Sequence, residues 1–407
     1  MKFPIYIVLI LVLLGIVSHG AEGRNRNFKP KEEEDLELER QLNILNKPPI
    51  MSFKKNGDLI DCVDIYKQPA FDHPLLKEHK LQLRPSSIPK GMKLRREKNS
   101  RLPIQREIEG CPYGTVPFKR VTKEDLIRAK TALALNHSRP VPESVPHATN
   151  VHFGLVTTPT NDPSKQIYGA AISISVYNLT DQISSQISQA LLWIGSGIQG
   201  SYSGIEYGWT VNQGLYGDGL SRTYSLWTGD GLQNTGCFNA VCPGYVQVSQ
   251  KRIMGEANHP VTVPGVDVYA MEFKIFRDPN TSNWWLFENL GDTADEPVGY
   301  WPKELFPAMA DSAHVVQLGG KVSTPLNVPN PAGMGSGTYV PDDFTRTCYA
   351  SNIQFVDSNF QFYEPKDERM TVVADVPGTY EAHYLGDAEK EHPKRGYTLL
   401  FGGPHYL

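Results

Sequence analysis

The sequence predicts an all-β fold, an antiparallel β-sandwich behind an irregular, charged N-terminal segment. Beyond Val151 the chain runs as short stretches such as YGAAISISVY, EYGWTV, RTYSLWT, VDVYAMEFKIF and NWWLF. Apolar and polar residues alternate in them, β-branched and aromatic side chains abound, and Gly, Asn, Asp and Pro punctuate the gaps. Helical periods are scarce, so sheet must pack on sheet.

Three regions follow in chain order. Met1-Lys2, an apolar run from Phe3 to Val17 and the small residues Ser18, Gly20 and Ala21 have the build of a cleavable secretory signal over residues 1–21. The run is short for a bilayer-spanning helix, which needs roughly 20 residues. Residues 22–145 form an accessory segment with its linker. KEEEDLELER, from Lys31 to Arg40, reads as a solvated helix or a disordered start. From about Asp58 to Arg120 the chain is rich in proline and charge and poor in alternation. SRPVPESVPHATN, from Ser138 to Asn150, has the composition of an exposed linker, where proteases cut. Residues 146–407 form the β domain, large for one all-β unit but within range. Within it a turn or two of helix is expected between Trp301 and Ala313, Pro302 suiting a first helical position.

A secreted chain passes through an oxidising compartment, where the five cysteines are expected to pair. Cys237 and Cys242 can close a hairpin end, Cys62 and Cys111 share the accessory segment, and Cys348 is left without an obvious partner. The CxxxxC spacing without a nearby histidine is not a zinc pattern, and no metal or other cofactor is expected. Asn136, Asn178 and Asn280 head sequons that can accept N-glycans in a secreted protein. The net charge of −4 is small for 407 residues and no basic stripe stands out, so nothing points to nucleic acid. No later run reaches transmembrane length, so no membrane partner is expected after signal removal.

The common hydrolase and dinucleotide signatures fail. Gly195-Ser196-Gly197-Ile198-Gln199-Gly200 fits GxGxxG in letters, but no βαβ unit surrounds it. There is no HExxH and no GxSxG elbow. What remains is acidic and aromatic: SGIEYGW around Glu206 and Trp209, NWWL with Trp284 and Trp285, and VGYWP with Tyr300 and Trp301. These tryptophans can be core residues and Glu206 an outward strand position. The other reading makes the five aromatics the walls of a cleft in which Glu206 acts as a base.

The segments IEYGWTVNQGLYGD, LWTGDGLQNTGCFNAVCPGYVQ, DPNTSNWWL, VGYWPKELF, MGSG and FGGP resemble the neprosin-type domain of plant secreted glutamic peptidases. DCVDIYKQPAFDHPLLKEHKLQLRPSS with GCPYGTVPFKR resembles the same family's activation peptide. The resemblance implies an extracellular zymogen of the apoplast or cell wall, a substrate cleft on one sheet, and cleavage of peptides at acid pH, often after proline. It also implies two facing glutamates that share a proton, one activating water and the other donating to the scissile amide. The first falls on Glu206. The family carries the second in a W-G-G-E motif, and this chain reads Leu318-Gly319-Gly320-Lys321 there. Thr210 stands where the family commonly has glutamine, and the usual cysteine near the C-terminus is absent.

A lysine opposite Glu206 removes the proton donor, and losing one member of such a pair costs about 100-fold to 10,000-fold in rate. The expectation is therefore an impaired glutamic peptidase. Three alternatives remain. One is an active enzyme in which Glu256, Glu272 or Glu288 replaces the missing acid. Another is a non-catalytic protein that binds proline-containing peptides or cell-wall glycans. The third is a structural extracellular protein with no specific ligand.

Overall fold

The computed structural model describes residues 30–93, 110–136, 149–159, 164–180, 182–198, 201–289, 295–366 and 368–404. The expected signal lies outside the described residues, as does nearly all of the linker. The chain divides into two compact units, 1–37 and 38–407. In the first, the described part is the opening of helix Pro30–Leu45, where Glu32 and Glu33 sit at the positive end of the helix dipole. KEEEDLELER is thus helical.

The second unit begins with the accessory segment, which holds more order than its composition suggests. Strands Met51–Lys55, Asp58–Asp64 and Thr115–Lys119 form an antiparallel sheet in that order. The first two are joined by Asn56-Gly57, both at positive φ (50° and 87°), the conformation a two-residue hairpin turn demands. Cys62 and Cys111 are disulfide-bonded. Helix Lys123–Asn136 starts on a reciprocal cap: the Asp125 N–H donates to Thr122 Oγ1 at 3.1 Å, and the Thr122 N–H donates to the Asp125 carboxylate at 2.9 Å.

Two antiparallel sheets make the β domain. The seven-stranded sheet runs Thr371–Ala374, Thr149–Thr157, Val315–Pro325, Ile187–Ile198, Ser201–Val211, Ser221–Thr228 and Cys237–Phe238. The nine-stranded sheet runs Val246–Gln247, Glu296–Trp301, Trp284–Asn289, Ala270–Arg277, Gly169–Ser175, Cys348–Val356, Tyr397–Gly402 and Glu381–Asp387, with Phe362–Tyr363 also on Cys348–Val356. Ile205, Tyr207, Trp209 and Leu318 of the first sheet share one core cluster with Ile172, Phe273, Trp284, Trp301 and Phe401 of the second. The sandwich predicted from alternation is the fold found.

The period of two decides which side chains reach that core. In Ser201–Val211, Ile205, Tyr207, Trp209 and Val211 point between the sheets, leaving Glu206, Gly208 and Thr210 on the outer face. The outer faces are themselves covered by the accessory segment, which is why strands such as Ser221–Thr228 are buried at every position. Between Trp301 and Ala313 the expected helix shrinks to two 3₁₀ turns, Lys303–Leu305 and Pro307–Met309, with Pro302 capping the first and Pro307 opening the second. Gly195-Ser196-Gly197-Ile198 closes strand Ile187–Ile198, and the next strand pairs back on it, so the GxGxxG letters open no helix.

Candidate functional site

Glu206 lies on the outer face of the seven-stranded sheet, opposite Trp193 on one side and Leu226 on the other. Lys321 lies on the same face two strands away, in register with Gln189. Since Trp193 pairs with Gln317, the two side chains approach along a diagonal across Ile187–Ile198. Lys321 Nζ is 3.7 Å from Glu206 Oε1, with about a sixth of each side chain exposed (16% and 14%). The hydroxyl of Tyr224 donates to Glu206 Oε2 at 3.2 Å. Burial, and then the charge of Glu206, push the Tyr224 phenol well above its ordinary pKa, so it is a fixed donor and a poor acid. Burial and Glu206 also raise the Tyr202 phenol. On this face the register gathers Gln317, Gly319 and Lys321; Gln189, Leu191 and Trp193; Glu206, Gly208 and Thr210; and Arg222, Tyr224 and Leu226. Glu206 is the one carboxylate among those residues.

Trp193 lies flat across its neighbours. A Cβ on Gly195 would come within 2.3 Å of its ring and one on Gly204 within 2.7 Å, so both positions need glycine. Beyond Tyr224, Arg222 is buried and held by Asp218 at 2.7 Å and by Asp58 of the accessory segment at 2.6 Å. Its guanidinium pKa is raised: burial opposes the charge, but hydrogen bonds to the two aspartates outweigh it. From the same hairpin, Lys55 reaches Glu256 at 3.2 Å. Helix Lys123–Asn136 completes the cover, packing Ala129, Ala132 and Leu133 against Leu191, Trp193, Tyr224 and Leu226 around Glu206.

The five aromatics proposed as cleft walls are not beside Glu206. Trp209, Trp284 and Trp301 fill the core between the sheets, and Trp285 and Tyr300 lie on the outer face of the nine-stranded sheet. The reason is alternation. Trp209 shares parity with Ile205 and Tyr207, and the adjacent Trp284 and Trp285 must point to opposite faces. The aromatics that do flank Glu206 are Trp193 and Tyr224. Nor do the substitute acids reach it. Tyr207, which points to the inter-sheet side, donates its hydroxyl to Glu288. Glu256 and Glu288 flank Arg252 at 3.6 and 3.0 Å, and Glu272 sits in the nine-stranded sheet opposite Asn289.

Cys237 and Cys242 are disulfide-bonded. Cys348 is a buried free thiol beside Ser175 Oγ at 3.4 Å, and burial pushes its pKa up to about 12. Asn178 and Asn280 are exposed in the uncleaved chain, while the Asn136 side chain lies outside the described residues. Among the described residues no helix is long and apolar enough to cross a membrane.

Fold and site together define a two-sheet antiparallel protein whose N-terminal segment is docked over both outer faces, one of which carries a carboxylate–ammonium pair. The neprosin family model matches residues 184–404 and the neprosin activation-peptide model matches residues 52–158. The chain belongs to the neprosin family. The activation-peptide match runs on through strand Thr149–Thr157, which is built into the seven-stranded sheet beside the Lys321 strand. Among solved structures the chain is similar to Scytalido-glutamic peptidase with a peptide-based transition-state analog, at 8% identity and a TM-score of 0.34 over 63% of this chain and 100% of that one. It is also similar to SCP-B, a member of the Eqolisin family of peptidases in complex with the tripeptide Ala-Ile-His, at 9% identity and a TM-score of 0.31 over the same shares.

Proposed function

We propose that this chain is a secreted, zymogen-type neprosin homologue that binds peptide on the Glu206 face and hydrolyses it poorly, because Lys321 stands in place of the second acid. The observation that carries the reading is the 3.7 Å approach of Lys321 Nζ to Glu206 Oε1 on a face with no other carboxylate among its central residues. Peptide hydrolysis at a carboxylate pair needs one group to take a proton from water and another to give one to the leaving amine. Glu206, steadied by Tyr224, can do the first. Its ion-pair partner, Lys321, pairs with the base instead of sharing a proton with it, and the Tyr224 phenol is too poor an acid to serve as the donor.

Removal of the accessory segment by a cut within residues 138–150 would uncover Leu191, Trp193, Tyr224 and Leu226, an apolar surface suited to an extended peptide with proline. N-glycans on Asn136, Asn178 and Asn280, and delivery to the apoplast or cell wall, belong to the same reading and follow from the expected signal. The test is cleavage of quenched fluorescent proline-containing peptides across acid pH, using secreted full-length chain before and after limited proteolysis in the linker. Little turnover, together with saturable peptide binding that is lost in Trp193→Ala, is the expected result. Fast turnover by the unaltered protein overturns the impaired-enzyme reading.

A further inference from the structure

The accessory segment also crosses the outer face of the nine-stranded sheet, away from Glu206, as an extended strip. Leu81 and Met92 of the strip, with Phe71 from the 3₁₀ turn Pro69–Asp72 that precedes it, pack against Phe276, Trp285, Phe287 and Tyr300. The polar contacts are more discriminating than the apolar ones. The Gln82 carboxamide is read on both ends: Nε2 donates to Asp278 Oδ2 at 2.7 Å, and Oε1 accepts from Thr281 Oγ1 and Asn283 Nδ2, each at 3.0 Å. Four residues on, Ser86 donates its N–H to Asp278 Oδ2 and its hydroxyl to Asp278 Oδ1, each at 2.5 Å.

The backbone is read as well. The Gln82 N–H donates to the Tyr300 hydroxyl at 3.0 Å, Lys90 exchanges bonds with Phe360 and Phe362, and the Gln354 carboxamide brackets Lys93 by its N–H and its carbonyl, each at 2.8 Å. None of the donating N–H groups at 82, 86, 90 and 93 belongs to a proline, and Pro85 and Pro89 fall at positions where no donor is asked for. Asp278 is fully buried beneath the strip, and the turn that carries it supplies further donors from the Asn280 and Thr281 N–H groups. Displacing the strip leaves three acceptor positions open on a carboxylate already fixed by its own turn, and a peptide with matching donors can refill them.

We infer that this strip is a second peptide-binding site, for an extended, proline-tolerant segment that seats a glutamine on Asp278, Thr281 and Asn283 and a serine four residues later. In the uncut chain residues 79–93 occupy it, and once they are displaced a peptide of the same kind takes their place. The inference shares with the proposed function only the displacement of the segment, and it makes no demand on Glu206 or Lys321. It gives the processed domain a way to hold a long substrate or ligand at a point remote from the Glu206 face, which favours extended chains over short peptides.

The probe is a fluorescein-labelled peptide of residues 79–93, and the protein is the uncleaved full-length chain. Gln82→Ala with Ser86→Ala weakens the internal occupant, and hydrogen exchange reads whether residues 79–93 have lifted. The expected result is loss of protection over 79–93 and binding of the probe at least tenfold tighter than to the unaltered chain. A probe with alanine at the Gln82 position should bind at least tenfold more weakly to that same protein, and adding Asp278→Asn should weaken the original probe as much. Exposed 79–93 without probe binding, equal binding of the two probes, or retained protection of 79–93 in the double variant each overturns the assignment. None of these readouts depends on peptidase activity, so they stand apart from the fate of the impaired-enzyme reading.

Discussion

Lys321→Glu is expected to restore acid hydrolysis. Lys321 and Glu206 attract one another across 3.7 Å, which at an effective dielectric near 20 is a gross Coulomb term of roughly 4 kcal/mol. A glutamate there turns that attraction into a repulsion of similar size whenever both groups are ionised. The pair relieves it by keeping one proton between them, which is the state a base and an acid acting together need. Restoring the missing partner should raise turnover at acid pH by about 100-fold or more, and the gain should fade as rising pH strips the shared proton. The assay is steady-state cleavage of a quenched proline-containing peptide by linker-cut protein, with Glu206→Gln in the same background as the control that should return the rate to its floor. If unaltered protein already cleaves well and Lys321→Ala abolishes this, lysine is itself the catalytic partner and the reasoning fails. A Lys321→Glu protein that folds, binds peptide and stays inert refutes it too.

Gly195→Ala places a methyl within 2.3 Å of the Trp193 ring and should cost about 1–3 kcal/mol in urea unfolding with a shifted tryptophan emission. Neutral behaviour would mean that the indole does not lie there. Losing the Cys62–Cys111 bridge through paired alanines removes a 49-residue loop constraint and should cost up to about 4 kcal/mol of the accessory segment's stability, read by chemical denaturation. In Asp125 burial raises the pKa but is outweighed by the Thr122 N–H, Lys119 and Arg128, and its net shift is downward. Its stabilising effect is therefore complete above the ordinary carboxylate value near 4 and is lost as pH falls through the lower folded value. Hydrogen exchange in helix Lys123–Asn136 should accelerate only under strongly acid conditions, and Asp125→Asn should flatten that dependence.

The β domain was legible because its strands alternate, and alternation is a physical consequence of a sheet with a packed inner face. The accessory strands were not read, although Asn56-Gly57 between alternating runs is a hairpin signal; the prolines and charges around it drew attention to irregularity instead. Period two would also have assigned Trp209 to the core, on the side of its strand away from Glu206. Composition groups aromatics without saying which face each one takes. The approach of Lys321 to Glu206 depends on strand order and register, which no local pattern encodes, and it came into view only through the family motifs. Gln82 and Ser86 fall in the stretch read only as rich in proline and charge, since their meaning lies in Asp278, nearly two hundred residues on.

Neither disulfide crosses the linker: Cys62 bonds Cys111 within the accessory segment, Cys237 bonds Cys242 within the β domain, and Cys348 bonds neither. A single cut in the linker therefore changes the order of the equilibrium that keeps the faces covered. Before it, the segment is tethered at an effective concentration in the millimolar range or above; after it, the same contacts hold a separate molecule whose occupancy falls with dilution. A processed molecule released into a large extracellular volume would uncover itself by mass action alone, while one confined in a secretory compartment would stay covered though already cut.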